Sequence, residues 1–186
     1  MKRIVILASG SGTLTQAIID AHLGADIVAV ITDQAGAHVL DRAHSAHIET
    51  FTVPMMADRT EWDREVETLI AALKPDLVVC AGFMRVLSER ITNRFKIINS
   101  HPSLLPLFPG AHAVRDALAA QVPETGTTIH WVDGGLDTGQ VIAHERVRIY
   151  SGDTEATLHE RIKIVERGLI VATIKSLLPK LEKTIG

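Results

Sequence analysis

The sequence predicts an α/β fold in which a mostly parallel sheet is covered by helices on both faces. Short segments rich in apolar and β-branched residues alternate with segments whose apolar residues recur at helical spacing. Strands joined through helices form right-handed βαβ units, which give a parallel sheet. The last strand-like segment alternates polar and apolar residues, which favours an antiparallel edge. We therefore expect a Rossmann-like open sheet of about seven strands in a single domain, residues 1–186.

The first half of the chain supplies four strands of this sheet. A β-branched run begins at Arg3, and Leu14, Ile18 and Ala21 then recur at helical spacing. Pro75 ends a later helix, because proline interrupts helical hydrogen bonding. The predicted strands are residues 3–8, 26–32, 49–53 and 77–81, and the predicted helices are residues 14–21, 38–46 and 58–73.

The second half adds three strands, of which the last two form the antiparallel edge. Residues 125–132 hold threonine and aromatic residues that favour a strand, and the glycine-rich segment 133–139 is a turn. Either Asp153 or Thr154 is placed to cap the last helix. The predicted strands are residues 96–98, 125–132 and 141–149, and the predicted helices are residues 88–95, 113–120 and 155 to about 180.

The composition indicates a globular protein without a broad attraction for polyanions. Hydrophobic residues make up 46% of the chain and charged residues 22%, with a net charge of −3. We expect no nucleic-acid partner and no membrane partner, so an anionic substrate has to be bound at a local site. Cys80 is the only cysteine, and its apolar neighbours predict a buried thiol in a reducing compartment. No segment has the length of a signal peptide or membrane span, and we expect a cytoplasmic protein.

The segment at residues 97–110 places an amide and an imidazole at a strand end. It reads I-I-N-S-H-P-S-L-L-P-L-F-P-G, so Asn99 and His101 follow a short strand and precede three prolines. Proline fixes the backbone, and open α/β sheets bind ligands at such strand ends. By itself the segment equally supports an ordinary turn, in which Asn99 is a cap and His101 a loop residue.

A glycine-rich turn at residues 9–13 lies between the first strand and the first helix. N–H groups at a helix N-terminus carry partial positive charge, and glycine lets an anion approach them. The turn lacks the lysine of a Walker A loop and the third glycine of a dinucleotide site, so it favours a phosphate monoester. The alternative is a tight turn that needs glycine only for its dihedral angles.

Amide, imidazole and carboxylate groups at strand ends suit acyl transfer to an amine. Asparagine and imidazolium N–H groups can stabilise the charge that forms on a carbonyl oxygen, and an aspartate can favour the protonated histidine and accept the proton that the amine loses. Serine hydrolysis is disfavoured because no G-x-S-x-G elbow surrounds Ser100 or Ser103. Neither H-E-x-x-H nor paired cysteines occur, so we expect no metal.

Two further features have more than one interpretation. Residues 82–87 fit either a ligand cleft or a packing elbow. The default interpretation of Glu166 is a solvated glutamate.

Several motifs together resemble the formyltransferase family that uses 10-formyltetrahydrofolate. They are A-G-F-M-R-V-L at residues 81–87, I-N-S-H-P-S-L-L-P at residues 98–106 and L-D-T-G at residues 136–139. The segments 8–18 and 107–118 are similar to the members that formylate the amine of glycinamide ribonucleotide in purine biosynthesis. The resemblance covers nearly the whole chain. It implies the formyltransferase fold, 10-formyltetrahydrofolate as cosubstrate, glycinamide ribonucleotide as substrate and no metal, and it is compatible with a homodimer.

The resemblance also implies a role for the residues at matching positions. Asn99, His101 and Asp137 would be catalytic, with His101 as acid and oxyanion stabiliser and Asp137 keeping it charged. The residues implied to bind the nucleotide are Gly12, Thr13, Leu14, Lys163, Ile164, Val165 and Glu166, the last through the ribose hydroxyls. The residues implied to bind the folate are Arg59, Met84, Arg85, Val86, Leu87, Asn99, Asp133, Gly134, Gly135, Leu136 and Asp137, the two arginines meeting its glutamate tail.

Two departures from the family pattern and three rival functions accompany this resemblance. Leu14 stands where many members have asparagine, and Leu107 where a basic residue is common, so we expect backbone contacts to the phosphate. One rival is formyl transfer to methionyl-tRNA or a sugar nucleotide, which usually comes with a further C-terminal domain. Another is formyltetrahydrofolate deformylase, which typically carries an N-terminal regulatory domain. The third is a non-catalytic phosphoribosyl or folate binding protein, which the presence of all three catalytic residue types disfavours.

Overall fold

The computed structural model describes residues 1–181. The predicted domain, residues 1–186, also includes residues 182–186, which lie outside the described residues. Seven strands are present: β1 (Arg3–Leu7), β2 (Asp26–Thr32), β3 (Thr50–Thr52), β4 (Leu77–Cys80), β5 (Ile97–His101), β6 (Glu124–Trp131) and β7 (Val141–Arg148). They form one sheet in the order β3-β2-β1-β4-β5-β6-β7. Strands β1 to β5 are parallel and β6 is antiparallel to both of its neighbours, which confirms the predicted mixed sheet.

Helices cover both faces of this sheet. They are α1 (Thr13–Asp20), α2 (Val39–Ser45), α3 (Arg59–Leu73), α4 (Glu89–Thr92), α5 (Ala113–Ala119) and α6 (Glu155–Leu177), followed by a 3₁₀ turn at Leu178–Lys180. Helices α1, α2 and α6 pack on one face, and α3 and α4 pack on the other. Thr154, one of the two predicted cap residues, caps α6. It forms a reciprocal capping box with Thr157. None of the helices within residues 1–181 has the length and hydropathy of a membrane span.

Strand β5 is longer than the sequence predicts. The predicted strand, residues 96–98, ends before the polar residues, whereas β5 continues through Asn99 and Ser100 to His101. All three pair with β6 in antiparallel register. The period of the hydrophobic pattern could not detect this extension, because polar residues replace apolar ones where the strand reaches the edge of the core.

The alternation along β5 assigns neighbouring side chains to opposite faces of the sheet. Ile97 belongs to the core formed with α3 and α4, and Ile98 to the core formed with α1 and α6. Successive strand residues point to opposite faces. Asn99 and His101 therefore share the α3 and α4 side with Ile97, and Ser100 shares the α1 and α6 side with Ile98.

A buried carboxylate joins α3 to α4. Glu67 on α3 is only 4% exposed and accepts hydrogen bonds from Arg90 Nε and from Arg94 Nη1, the latter at 2.6 Å. The hydrogen bond from Arg94, together with Arg90, holds the pKa of Glu67 below its ordinary value of 4.5 even though burial opposes this shift. Because α4 follows the loop at residues 82–87, this ion-pair cluster fixes the C-terminal end of that loop.

We predict that Glu67→Gln destabilises the fold in a pH-dependent way. The variant keeps the side-chain volume but loses charge-assisted hydrogen bonds to exposed guanidinium groups, so the free energy of unfolding at pH 7 falls by about 1 kcal/mol. Because the folded-state pKa is lowered, this stabilisation is present above pH 4.5 and is lost as the pH falls through the folded-state value. Denaturant unfolding from pH 7 to pH 3 measures it. Glu65→Gln, on an exposed position of the same helix, is the control, and an equal loss in both variants contradicts the assignment.

Candidate active site

A cleft of about 420 Å³ opens at the carboxyl ends of β1, β4 and β5. This is the side of an open α/β sheet on which ligands bind. The three predicted loops meet there: the glycine-rich turn, the segment after β5 and the turn between β6 and β7 contribute Gly12, His101 and Asp137 among others. The structure therefore brings together polar groups that are far apart in the sequence.

Asp137 lies at the centre of this arrangement. Its Oδ2 accepts a hydrogen bond from the Gly110 N–H at 2.8 Å and lies 3.3 Å from His101 Nδ1, and its Oδ1 lies 3.6 Å from His130 Nε2. The backbone of Asp137 has a φ of 55°, in the left-handed region that residues other than glycine rarely adopt. The surrounding contacts thus hold this carboxylate in an unfavourable backbone conformation at a site of converging polar groups.

The pKa of Asp137 is lowered although the side chain is largely buried. Burial raises the pKa, but the contact with His130, the Gly110 N–H and the electrostatic effect of His101 together outweigh it. Asp137 is consequently ionised at neutral pH and able to accept a proton.

His101 is held by contacts at both ring nitrogens. The side chain is buried, and Nε2 lies 2.8 Å from the carbonyl oxygen of Phe108. A carbonyl oxygen can only accept, so Nε2 carries a proton, and a second proton on Nδ1 would make the ring an imidazolium facing Asp137. The 3.3 Å separation between Nδ1 and Asp137 Oδ2 exceeds that of a tight charge-assisted hydrogen bond. A proton on Nδ1 is therefore also available to an oxygen atom of a ligand.

Asn99 and His130 complete the group. His130 Nδ1 lies 2.9 Å from the carbonyl oxygen of Trp131 and so carries a proton, and His130 Nε2 lies 3.2 Å from Asn99 Nδ2. This contact orients the Asn99 amide. Asn99 and His130 are paired residues of β5 and β6. His130 was not predicted as a site residue. A predicted pairing register for β5 and β6 would have placed it opposite Asn99.

The turn between β6 and β7 is held in shape by Asp133. Its Oδ1 accepts hydrogen bonds from the Gly135 N–H at 3.0 Å and from Thr138 Oγ1 at 2.6 Å. Gly139 passes so close to β6 that an added Cβ would lie 1.6 Å from the carbonyl oxygen of Trp131. These contacts determine where the intervening Asp137 stands.

The glycine-rich turn forms a concave N-terminus of α1. Gly12 is the N-cap with a φ of 73°, and an added Cβ would lie 2.8 Å from the Cα of Val39, so both conformation and space require glycine. The N–H groups of the first turn of a helix have no intrahelical acceptor, and no acidic residue occupies this first turn. Gly12, Thr13 and Leu14 all line the cleft, and Lys163 lies on its wall. The turn is thus suited to an anion.

Glu166 also lines the cleft, and its interpretation as a solvated glutamate is wrong. Oε1 accepts a hydrogen bond from Ser100 Oγ at 2.6 Å. Burial raises the pKa of Glu166, while Ser100 and the positive charges of Lys163 and Arg167 act in the opposite direction. A partly desolvated carboxylate in a cleft is suited to accept hydrogen bonds from ligand hydroxyl groups.

The loop at residues 82–87 serves both as a packing elbow and as a cleft wall. Leu87 is only 3% exposed and packs in the core with α3 and α4, whereas Met84 and Val86 are 70% and 51% exposed. Leu136, on the opposite turn, is 54% exposed and lines the same cleft. These apolar side chains make the mouth of the cleft suitable for a flat, largely apolar ligand.

Ser9 and Asp33 fasten this loop to the strand ends beside it. Ser9 Oγ donates to Asp33 Oδ1 at 2.6 Å and accepts from the Met84 N–H at 2.9 Å. Arg85 Nε donates to Asp33 Oδ2 at 2.7 Å, and Asp33 is 4% exposed. Sequence reasoning did not select Ser9 or Asp33, because their partners come from other segments of the chain.

Four of the residues implied by the resemblance do not line the cleft. Ile164 is 63% exposed, and Val165 packs against α5 and β7. Gly134 lies against the side chain of Glu89. Arg59 pairs with Asp63 at 3.1 Å and donates to the carbonyl of Val86, so it contacts the loop from behind.

Cys80 lines the cleft as a buried thiol, and burial raises its pKa to about 12. Within residues 1–181, no three His, Cys, Asp or Glu side chains are grouped as metal ligands.

The fold and the cleft together define an α/β enzyme of the acyl-transfer type. A helix N-terminus suited to an anion adjoins an apolar mouth, and an amide, two imidazoles and a carboxylate lie between them. The chain belongs to the formyl transferase family, whose profile matches residues 2–174.

Known members of this family are similar to the chain over most of its length. Phosphoribosylglycinamide formyltransferase of Mycobacterium tuberculosis (strain CDC 1551 / Oshkosh) is 46% identical, over 94% of this chain and 84% of that protein. The trifunctional purine biosynthetic protein adenosine-3 of Homo sapiens is 38% identical over 93% of this chain and 18% of its own length. The crystal structure of phosphoribosylglycinamide formyltransferase from Bacillus halodurans has a TM-score of 0.91 and 40% identity, covering 97% of both chains. The predicted fold and enzyme class are thereby confirmed.

We predict that Gly139→Ala displaces the turn that carries Asp137. Because the new Cβ would overlap the carbonyl oxygen of Trp131, the turn has to move and the Gly110 N–H loses its acceptor. Amide hydrogen exchange at Gly110 then becomes faster by at least ~10-fold. Gly36→Ala is the matched control, since an added Cβ there meets no atom within 4 Å. Unchanged protection of the Gly110 amide in Gly139→Ala would refute this prediction.

Proposed function

We propose that the chain transfers the formyl group of 10-formyltetrahydrofolate to the amine of glycinamide ribonucleotide, giving formylglycinamide ribonucleotide and tetrahydrofolate. The observation that carries this proposal is the convergence of Asn99, His101 and Asp137 between the anion site and the apolar mouth of the cleft. Family membership and the names of the relatives support the same reaction.

The nucleotide binds at the α1 side of the cleft. Its phosphate accepts hydrogen bonds from the N–H groups of Gly12, Thr13 and Leu14, where the helix dipole favours a negative charge. Lys163 lies on the same wall and adds a positive charge. The Glu166 carboxylate accepts from the ribose hydroxyls. The glycinamide amine then extends toward Asp137.

The folate binds at the mouth of the cleft. Its ring system lies between the loop at residues 82–87 and the turn at residues 133–137, where Met84, Val86 and Leu136 offer apolar surface. Backbone groups of both loops give the polar ring its hydrogen bonds. Arg59 and Arg85 lie near the exit for the glutamate tail, and each already pairs with a carboxylate, Asp63 or Asp33. The tail therefore has to compete with these ion pairs for the guanidinium groups.

The formyl group lies between the two substrates, beside the catalytic residues. The amine lone pair attacks the formyl carbon, and the carbonyl electron pair moves onto oxygen. The Asn99 amide and a proton on His101 Nδ1 stabilise this oxyanion. Asp137 accepts the proton that the amine loses and returns it to N10 of the folate, as the oxyanion electron pair re-forms the carbonyl and the bond from N10 to the formyl carbon breaks. Asp137 is able to take this role because it is ionised at neutral pH and its carboxylate faces both histidines.

A two-substrate assay tests this function. The purified chain is incubated with glycinamide ribonucleotide and 10-formyltetrahydrofolate, and the formylated nucleotide is quantified. We expect product only when both substrates are present. Release of formate at a rate that the nucleotide does not change would indicate a deformylase, and binding of both substrates without product would indicate a binding protein.

We predict that His101→Ala and Asp137→Asn each lower kcat by at least ~100-fold. The first removes an oxyanion donor and the second a proton acceptor, and the loss of such groups commonly has this effect. His144→Ala, an exposed histidine on β7, is the control and should keep the turnover of the parent chain. Near-parental turnover in both test variants would exclude the mechanism.

We predict that Leu14→Ala separates stability from phosphate binding. Leu14 is 7% exposed and its side chain belongs to the core, so the variant loses about 2–5 kcal/mol of unfolding free energy. The KM for the nucleotide should stay within about 2-fold, because the phosphate is bound by backbone N–H groups. A large rise in KM, in a variant that unfolds cooperatively, would show that the side chain takes part in binding.

A further inference from the structure

Ser100 makes a contact that links β5 to the last helix. Ser100 Oγ donates to Glu166 Oε1 at 2.6 Å, while its separation from Thr127 Oγ1 is 3.5 Å. Ser100 is 8% exposed, so its hydroxyl group has little access to water. A short hydrogen bond to a carboxylate is the dominant interaction of this side chain.

This contact lies on the face of β5 opposite to the catalytic pair. Asn99 and His101 point to the side of the sheet covered by α3 and α4, and Ser100 points to the side covered by α1 and α6. Strand β5 thus supplies the reaction centre from one face and a support for Glu166 from the other. The Ser100 hydroxyl occupies one oxygen of Glu166, which leaves the other oxygen for a ligand.

We propose that Ser100 is a positioning residue for the nucleotide: its hydroxyl group fixes the Glu166 carboxylate in the orientation that accepts the ribose hydroxyls. This inference rests on the proposed function and extends it, because it gives nucleotide affinity a determinant that acts through another side chain.

The electrostatics of Glu166 agree with this role. Burial raises the pKa of Glu166, and the hydrogen bond from Ser100 is the largest of the effects that lower it, ahead of Lys163 and Arg167. Besides these two cations on its own helix, the titratable groups lining the same cleft include His159 on α6, His101 on β5, His130 on β6 and Asp137. Removal of the Ser100 hydroxyl therefore raises the pKa of Glu166 further, and the neutral acid accepts ribose hydroxyls less well.

A purely structural role of Ser100 predicts a different kinetic result. Ser100 is flanked by Asn99 and His101, so a local distortion of β5 would move both catalytic side chains and lower kcat. Loss of positioning at Glu166 instead weakens nucleotide binding in the ground state and the transition state alike, which raises KM and leaves kcat unchanged.

The experiment compares four variants in the formyl transfer assay across pH. We expect Ser100→Ala to raise the KM for glycinamide ribonucleotide by about 5–50-fold, as the loss of a hydrogen bond to a charged group does. Its kcat and its KM for the folate stay within about 2-fold, and the acid limb of kcat/KM for the nucleotide moves to higher pH. Ser100→Cys, which keeps the size and a weak donor, falls between. Ser176→Ala removes an exposed hydroxyl group on the same helix as Glu166 and is the control without effect.

Glu166→Gln tests the proposed ribose site separately from the positioning role of Ser100. If Glu166→Gln raises the KM for the nucleotide and Ser100→Ala does not, Ser100 is not a positioning residue. If Ser100→Ala lowers kcat at unchanged KM, its role is structural and the inference fails. If Glu166→Gln leaves the KM for the nucleotide unchanged, the proposed ribose site is wrong and the inference fails with it, whereas formyl transfer itself is tested by product formation in the parent chain.

Discussion

The Asp137 carboxylate is the constraint on which the rest of the site depends. Its contact with the Gly110 N–H joins two loops that are 27 residues apart in the sequence, and its two oxygens face His101 and His130. The left-handed backbone at Asp137 costs roughly 1–3 kcal/mol in a residue other than glycine. The turn contacts of Asp133 and Gly139 offset this strain, so the carboxylate is preorganised before any ligand binds.

Strand β5 contributes side chains to both proposed substrate sites. Because successive strand residues alternate between faces, one short strand provides the amide and imidazole beside Asp137 and the hydroxyl group that contacts Glu166. The glycine-rich turn and the loop at residues 82–87 are also joined, since Ser9 donates to Asp33 and accepts from the Met84 N–H. The two proposed substrate sites thus belong to one hydrogen-bonded framework.

The sequence predicted the sheet and most of its elements because hydrophobic periodicity and glycine or proline boundaries are local signals. Contacts between distant segments are not local, and there the prediction fell short. His130 and Asn99 are separated by 31 residues and Ser100 and Glu166 by 66, so neither pair has a spacing to recognise. The extension of β5 to His101 was missed because its ladder partner lies on β6. Ile164 and Val165 were taken over with Glu166 as a contiguous segment, although a helix turns such neighbours to other faces.

The most direct test of the account is a structure of the chain with glycinamide ribonucleotide and a folate analogue. We predict that the phosphate lies on the N–H groups of Gly12 to Leu14 and that the ribose hydroxyls lie on Glu166. We also expect the amine within ~3–3.5 Å of the position of the formyl carbon, as in a near-attack geometry, beside Asn99, His101 and Asp137. A phosphate bound elsewhere, or a formyl position beyond hydrogen-bonding distance of both Asn99 and His101, would contradict it.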